Sequence, residues 1–259
     1  MVQNPIDVEY LPYKKKGADM EIIQHASCAV QFNDVLEIDP DFLEEWMVFR
    51  RSIEPDDFEI NEDGNYVNRG GYVFTPEQYR GSPGRFLNLY PQDQPEEYAE
   101  FSREIEGAVY ECVTKYRELF PEIGNVLWWK TPGHVASYKD GQNMGSHHDR
   151  AIDFVPESIS FSAEKREALG YNMGALGNEL TSSLILKKAE EGGLIEIRYA
   201  DVSIDPEPGT VLLYPSNFVG SHAVTPTTKG ERLAFIQLFG QGYPQGIQNN
   251  KLLSDYEDF

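Results

Sequence analysis

The sequence has very few cysteines, with only Cys28 and Cys112 among 259 residues. The two are far apart in the chain and neither belongs to a CxxC pair, which excludes a disulfide framework and a cysteine-based zinc site. Free cysteine behaves as a small hydrophobic residue in folded proteins. We therefore expect both thiols to be free and buried.

Long hydrophobic runs and basic residues are also scarce. No apolar run approaches the roughly 20 residues of a membrane-spanning helix, and the first ten residues, MVQNPIDVEY, lack the basic and apolar regions of a secretory signal. Asp and Glu number 43 against 22 Lys and Arg, a net charge of −21. Such a charge disfavours nucleic acids and anionic membranes as partners. We expect a soluble, cytoplasmic protein whose acidic field attracts cationic or zwitterionic molecules.

The first half of the chain has helical and irregular patterns. Residues 41–51 and 96–119 carry apolar side chains at steps of three and four, which predicts two amphipathic helices. Residues 61–95 are dense in Gly, Pro, Asn and Tyr, which predicts a long loop region with one strand near Tyr72–Phe74.

From about residue 126 the pattern becomes β. Short β-branched or aromatic runs alternate with turn residues: VLWWK, HVASYK, TSSLILKK, GLIEIRYA, TVLLYP and RLAFIQLF. Such runs predict a sandwich, barrel or jelly roll, interrupted by a helical or lid insertion over 153–179. With no repeat or linker, we expect one domain over 1–259. It would comprise an N-terminal elaboration (1–125), a core (about 126–240) and a tail (241–259).

The segment SHHDR, residues 146–150, carries a candidate metal site. On an extended backbone the side chains of His147 and Asp149 leave the same face, while that of His148 leaves the other. An imidazole and a carboxylate side by side are two of the three ligands of the two-His-one-carboxylate triad of non-haem Fe(II) oxygenases. The third ligand should come from a distant strand, and His222 is the candidate.

Ten residues after His222, Arg232 opens the strand RLAFIQLF. An arginine aimed into a barrel interior requires an anion, because a lone buried guanidinium is costly. A carboxylate of a small co-substrate would pair with it through two charge-assisted hydrogen bonds.

The order HxD, distal His, then Arg resembles the 2-oxoglutarate/Fe(II) dioxygenase superfamily, and most closely its prolyl-4-hydroxylase-like branch. The resemblance covers roughly residues 130–240. Its motifs are SYKDGQNMGSHHD (137–149), SSLILKKAEEGGLIEI (182–197) and PGTVLLYPSNFVGSHAVTPTTKGERLAFIQLF (208–239).

The resemblance implies a double-stranded β-helix, that is, a jelly roll with helices bracing one sheet. It implies Fe(II) bound by His147, Asp149 and His222, and 2-oxoglutarate held at its far carboxylate by Arg232. Relatives add a hydroxyl to that carboxylate, either from a tyrosine, here Tyr138 or secondly Tyr214, or from a serine two residues after the arginine, which is Ala234 here. The implied reaction couples 2-oxoglutarate decarboxylation by O2 to hydroxylation of an unactivated C–H.

The substrate and the function keep alternatives at this point. An amino-acid-like small molecule and a peptidyl residue such as proline both fit, and the oligomeric state is open. Substrate contacts are expected from Arg150, from arginines of the 61–95 region and from one of two adjacent tryptophans; the candidates are Arg69, Arg80, Arg85 and Trp129. The alternative functions are a cupin-type metalloenzyme that does not use 2-oxoglutarate and a non-catalytic jelly-roll module.

Overall fold

The computed structural model describes most of the chain from residue 20 to residue 252. The described residues are 20–53, 58–68, 73–81, 83, 85–88, 94–127, 129–130, 133–150, 177–241 and 251–252. Most of the predicted 153–179 insertion, most of the 241–259 tail and Arg69 therefore lie outside the described residues.

Three α-helices lie in the first half of the described chain: α1 Pro40–Ile53, α2 Pro76–Arg80 and α3 Glu96–Leu119. The strands before α3 are β1 Glu21–Gln24, β2 Val30–Asn33, β3 Phe58–Ile60, β4 Tyr66–Asn68, β5 Val73–Phe74 and β6 Arg85–Asn88. Those after it are β7 Trp129–Lys130, β8 His134–Lys139, β9 Met144–His147, β10 Gly177–Lys187, β11 Glu191–Gly192, β12 Ile195–Ile197, β13 Val202–Ile204, β14 Val211–Pro215, β15 His222–Val224, β16 Thr227–Lys229, β17 Glu231–Gln241 and β18 Lys251–Leu252.

Two antiparallel sheets carry the core of the fold. The major sheet runs β1-β2-β14-β10-β17-β7-β18, and β8 joins it by pairing with β17 on one side and β6 on the other. The minor sheet has the order β13-β12-β15-β9. Strands adjacent in a sheet are mostly distant in sequence, as in a jelly roll. The predicted double-stranded β-helix is confirmed.

Alternation along the long central strands divides the core into two layers. In β17, Leu233, Phe235 and Phe239 belong to the cluster shared with α1 and α3, whereas Ala234 belongs to a second cluster with Ile195 of the minor sheet. Because successive side chains leave opposite faces, one face of the major sheet meets the helices and the other meets the minor sheet. Burial on both faces explains why the strand sequences read as nearly continuous apolar runs.

Helix α3 spans the predicted residues 96–119 and braces the major sheet. Its apolar stripe, including Ile105, Val109 and Val113, is almost fully buried. The same interface contains a buried ion pair, in which Lys130 of β7 donates to Glu106 of α3 at 2.5 Å. The predicted helix over 41–51 is confirmed as the interior of α1.

The predicted strands after residue 126 are confirmed in whole or in part. The run GLIEIRYA is strand only over Ile195–Ile197 and then forms a 3-10 helix, Arg198–Ala200. Strands β1 and β2 were not predicted; they are only four residues long each. They extend the major sheet beyond β14.

Two expectations for the first half of the chain were wrong. The strand predicted near Tyr72–Phe74 is present as β5, but the 61–95 region is not otherwise a loop, since β4, α2 and β6 also lie in it. Helix α2 begins with a capping box between Thr75 and Gln78, a signal present in the sequence TPEQ. Cys28 is free but exposed, because it lies in the tight β1–β2 turn with φ +58°, whereas Cys112 is free and buried as expected.

Within the described ranges, no helix combines the length and the apolar character needed to cross a bilayer.

Candidate metal centre and co-substrate pocket

The three predicted metal ligands come together at one end of the space between the two sheets. His147 is the last residue of β9, His222 is the first of β15, and the two are directly paired across the minor sheet. Asp149 lies two residues beyond β9. The candidate ligand atoms of the three side chains all lie within 4.8 Å of one another.

Both histidines have one ring nitrogen held by the backbone and the other directed at the carboxylate. His147 Nδ1 lies 2.8 Å from the Gly145 carbonyl oxygen, and His222 Nδ1 lies 3.1 Å from that of Gly220. A carbonyl only accepts, so each Nδ1 carries a proton and donates it, which leaves each Nε2 as the ring nitrogen that would bind a metal. The Nε2 atoms are 3.4 Å and 3.7 Å from Asp149 Oδ1 and Oδ2, respectively. This is the donor set and tautomer that Fe(II) requires.

Asp149 is fixed by hydrogen bonds from the major sheet. The Thr181 hydroxyl of β10 donates to Asp149 Oδ2 at 2.8 Å, and it also lies 2.8 Å from Ser216 Oγ. The Asn178 amide donates to the Asp149 carbonyl oxygen at 2.7 Å, and the Arg150 backbone N–H donates to the Ser216 carbonyl oxygen at 2.6 Å. The carboxylate is therefore oriented before any metal binds.

The charges of the three side chains are coupled. The hydrogen bond with Asp149 is the largest effect on His147 and raises its pKa. Burial alone would raise the pKa of Asp149, but the hydrogen bond from His147 and the nearby His222 outweigh it, so this pKa lies below its usual value. Burial lowers the pKa of His222. An ionised carboxylate beside a neutral buried imidazole suits a divalent cation.

A cavity of about 290 Å³ extends from the three side chains between the sheets. It is lined by His134, Ala136, Tyr138, Met144, His147, His148, Asp149, Ser183, Ile195, Tyr214, His222, Val224, Arg232, Ile236 and Leu238. Its walls are mostly apolar, with a few polar groups that converge on the interior, as in sites for small polar ligands.

Arg232 lines this cavity and is 3% exposed. Its guanidinium carbon is 5.3 Å from the centre of the Tyr138 ring, its directly paired neighbour on β8. Burial lowers the pKa of Arg232 and raises that of Tyr138 to about 12. No carboxylate of the described residues lies within ion-pair distance of the guanidinium, so this buried cation fits the carboxylate of a small anion.

Tyr214, the second tyrosine candidate, is almost fully buried and also lines the cavity. Its ring centre lies 4.6 Å from that of His222, and burial raises its pKa well above the usual value. Tyr214 therefore packs against the ring of His222, a candidate metal ligand. Tyr138, in contact with Arg232, is the better candidate for a co-substrate contact.

The candidate substrate contacts lie outside the cavity lining or cannot be placed. Arg150 forms an ion pair with Glu179 at 3.2 Å and is exposed. Arg80 is exposed, and its backbone carbonyl accepts hydrogen bonds from Asn143. The backbones of Arg85 and Trp129 lie in β6 and β7 of the major sheet, but their side chains are not among those described.

Sequence reasoning missed three polar residues of the site. Thr181 orients Asp149; Ser183 and His134 line the cavity. Burial lowers the pKa of His134 to about 4, so this imidazole is neutral at physiological pH. The signal for Thr181 and Ser183 was the two-residue spacing of hydroxyls in TSS, which puts both on the inner face of one strand.

Comparisons with known proteins agree with this geometry. Residues 133–240 match the model of the 2OG-Fe(II) oxygenase superfamily. A PKHD-type hydroxylase of Alteromonas mediterranea is 33% identical over 101 residues, which cover 38% of this chain and 38% of that protein. The chain thus matches well under half the length of this curated relative. A solved prolyl hydroxylase from Trichoplax adhaerens is similar in fold, with a TM-score of 0.52 and 15% identity over 83% of this chain and 84% of that one.

The match to the 2OG-Fe(II) oxygenase superfamily falls on the segment whose ordered motifs resemble that superfamily. This segment contains the candidate metal ligands, the buried arginine and all of the residues that line the cavity. At the level of the superfamily, the predicted pair of Fe(II) and 2-oxoglutarate is thereby confirmed.

Proposed function

We propose that this protein is a hydroxylase that uses Fe(II) and 2-oxoglutarate to insert an oxygen atom of O2 into an unactivated C–H bond. The observation that carries the proposal is the combination of two features in one cavity. One is the cluster of His147, Asp149 and His222, and the other is the buried, carboxylate-free guanidinium of Arg232. A cupin-type enzyme without 2-oxoglutarate would not require such an arginine.

His147, Asp149 and His222 would hold the metal. The carbonyls of Gly145 and Gly220 keep both imidazoles in the tautomer that presents Nε2. Asp149 remains ionised because its pKa is depressed, and Thr181 keeps the carboxylate from rotating. Three protein ligands would leave further coordination positions of the metal for the co-substrate and O2.

Arg232 would bind a carboxylate of 2-oxoglutarate, with the phenol of Tyr138 beside it. Since the pKa of Tyr138 is raised to about 12, its hydroxyl stays protonated and can donate a hydrogen bond. The apolar walls, which include Ile195, Val224 and Ile236, exclude water and strengthen the ion pair. When bound, the metal and 2-oxoglutarate would supply the electrons that activate O2, while the residues of the cavity hold the co-substrate in place and exclude water.

The substrate we propose is an amino-acid-like small molecule or a peptidyl residue such as proline. The solved Trichoplax adhaerens enzyme is a prolyl hydroxylase in complex with a peptide fragment of hypoxia inducible factor, which supports the peptidyl form. The net charge of −21 favours a cationic or zwitterionic substrate over a polyanion. Of the candidate arginines, Arg150 at the end of the metal motif is the one we propose as a substrate contact.

The test is an anaerobic titration of the metal-free protein with Fe(II) and then 2-oxoglutarate. The measurement is the visible charge-transfer band of the metal–2-oxoglutarate complex. We expect the band in the wild type, its loss in Asp149→Ala and a strongly raised 2-oxoglutarate Kd in Arg232→Ala. Arg198→Ala, which changes an exposed arginine outside the cavity, is the control and should behave as the wild type.

Succinate release in the presence of candidate amino acids and proline-containing peptides then identifies the substrate class. Circular dichroism of each variant separates loss of binding from loss of fold. Tight Fe(II) binding by the wild type without any band on addition of 2-oxoglutarate would refute the proposal and favour the cupin-type alternative.

A further inference from the structure

Ser183 is a polar residue in the cavity that neither the metal site nor the arginine explains. It lies in the middle of β10, is 1% exposed and lines the cavity. Its hydroxyl has no hydrogen-bond partner in the described part of the protein. Buried hydroxyls are nearly always hydrogen-bonded, because a hydroxyl removed from water without a partner destabilises the fold. The group therefore requires a partner that occupies the cavity.

The position of Ser183 shows where that partner lies. Thr181, two residues earlier on the same face of β10, holds Asp149; at about 3.3 Å per residue it is roughly 7 Å away along the strand. Across the sheet, Ser183 is paired with Ile236 of β17, and Arg232 lies four residues before Ile236 on that strand. The Ser183 hydroxyl thus stands between the metal ligands and the region of the guanidinium.

The residues beside Ser183 in the sheet offer no alternative hydrogen bond. Its neighbours on the flanking strands are Leu212 of β14 and Ile236 of β17, and both are apolar. A buried water needs two to four polar partners to be retained. These two neighbours supply none through their side chains.

We propose that the Ser183 hydroxyl donates a hydrogen bond to bound 2-oxoglutarate, at the end of that molecule nearer the metal ligands. The inference rests on the proposed function and adds a third protein contact to the two from Arg232 and Tyr138.

The experiment compares Ser183→Ala with Ser182→Ala in the Fe(II)-loaded protein under anaerobic conditions, with 2-oxoglutarate as the titrant. Ser182 is the matched control, because it is equally buried but faces the helices, where its hydroxyl donates to the Gln237 carbonyl oxygen at 2.9 Å. We expect Ser183→Ala to raise the 2-oxoglutarate Kd about tenfold or more, since a hydrogen bond to a charged group is lost. The Kd for Fe(II) should stay within about twofold, below the size of a lost hydrogen bond, and Ser182→Ala should leave both constants unchanged.

Urea unfolding without metal or co-substrate gives a readout that is independent of activity. Removing an unpartnered hydroxyl should leave the midpoint of Ser183→Ala equal to or above that of the wild type, while Ser182→Ala should unfold earlier because it loses a made hydrogen bond. A midpoint of Ser183→Ala lowered as much as that of Ser182→Ala would mean that the hydroxyl is already satisfied without the co-substrate, and would overturn the inference.

The inference and the proposed function fail differently. An unchanged 2-oxoglutarate Kd in Ser183→Ala, beside normal binding by the wild type, would overturn the Ser183 contact alone. A wild type that binds Fe(II) but not 2-oxoglutarate would overturn the proposed function, and the Ser183 contact with it.

Discussion

Gly193 lies against Arg232, the arginine that we propose to bind 2-oxoglutarate. Adding one methyl group at Gly193 therefore tests whether the position of the Arg232 side chain matters for co-substrate binding. Its φ is +69°, and a Cβ would lie 3.0 Å from Arg232 Cδ and 3.1 Å from Thr227 Oγ1. We expect Gly193→Ala to lower the free energy of unfolding and also to displace the Arg232 side chain. The second effect should appear as a raised Kd for 2-oxoglutarate.

The magnitude follows from two contributions. A left-handed backbone costs an alanine about 1–2 kcal/mol, partly offset by about 0.4–1 kcal/mol from the less flexible unfolded chain. Crowding in a filled interior adds about 1–3 kcal/mol. Gly193→Ala should therefore destabilise the protein by roughly 2–4 kcal/mol, most of it from the contacts with Arg232 and Thr227.

Two other glycines separate these contributions. Gly141 has φ +83° with nothing within 4 Å of a Cβ, so Gly141→Ala should show only the backbone cost, about 1 kcal/mol. Gly192 has φ +80°, and its Cβ would lie 1.9 Å from the Pro226 carbonyl oxygen, so Gly192→Ala should exceed both. Urea unfolding followed by circular dichroism measures all three variants.

The 2-oxoglutarate titration of the Fe(II)-loaded protein is the decisive assay. Gly193→Ala should raise the Kd severalfold, and Gly141→Ala should not change it. If Gly193→Ala destabilised the protein no more than Gly141→Ala and bound 2-oxoglutarate normally, the close approach of Gly193 to Arg232 would be refuted.

Two further predictions concern charges away from the cavity. Burial alone would raise the pKa of Glu231, but the hydrogen bonds from Ser137 and Arg51 outweigh it and hold the pKa below its usual value. The ionised carboxylate therefore stabilises the fold above about pH 4.3, and this contribution is lost as the pH falls through the folded-state pKa. Glu231→Gln should thus cost about 1 kcal/mol at pH 7 and progressively less as the pH falls through the folded-state pKa, in unfolding midpoints measured against the exposed control Glu190→Gln. Lys130→Met leaves the Glu106 carboxylate buried without its cation and should lower the free energy of unfolding by about 3–5 kcal/mol. The double variant Lys130→Met/Glu106→Gln should recover part of this free energy in the same urea assay. No recovery would argue against the ion pair.

The elements that could be predicted are those whose signal is local. Both ends of α3 followed from an apolar stripe at helical spacing, with Pro95 before it and Pro121 after it. The long strands β10 and β17 were found because both faces are buried and the runs are nearly continuous. The four-residue β1 and β2 carry too few residues for a period to stand out, and their place beside β14 depends on a contact about 180 residues distant in sequence, as in the pairing of Phe32 with Val211.

The residues of the candidate site likewise include some that the sequence alone reveals and some that it does not. The motif HxD, the distal His222 and the spacing to Arg232 are visible in one sequence, because strand geometry and ligand chemistry restrict them. The bond from Thr181 to Asp149 spans 32 residues and the pair of Lys130 with Glu106 spans 24. No sequence pattern indicates such hydrogen bonds, since each partner taken alone is an ordinary polar side chain.

The two histidines of the metal centre belong to the minor sheet, whereas Asp149 is hydrogen-bonded to Thr181 and Asn178 of β10 in the major sheet. An ion held by all three would thus act as a cross-link between the two layers at their open end. Part of the free energy of metal binding would then be free energy of closing the jelly roll. The supply of iron would in this way affect the stability of this end of the fold as well as the chemistry in the cavity.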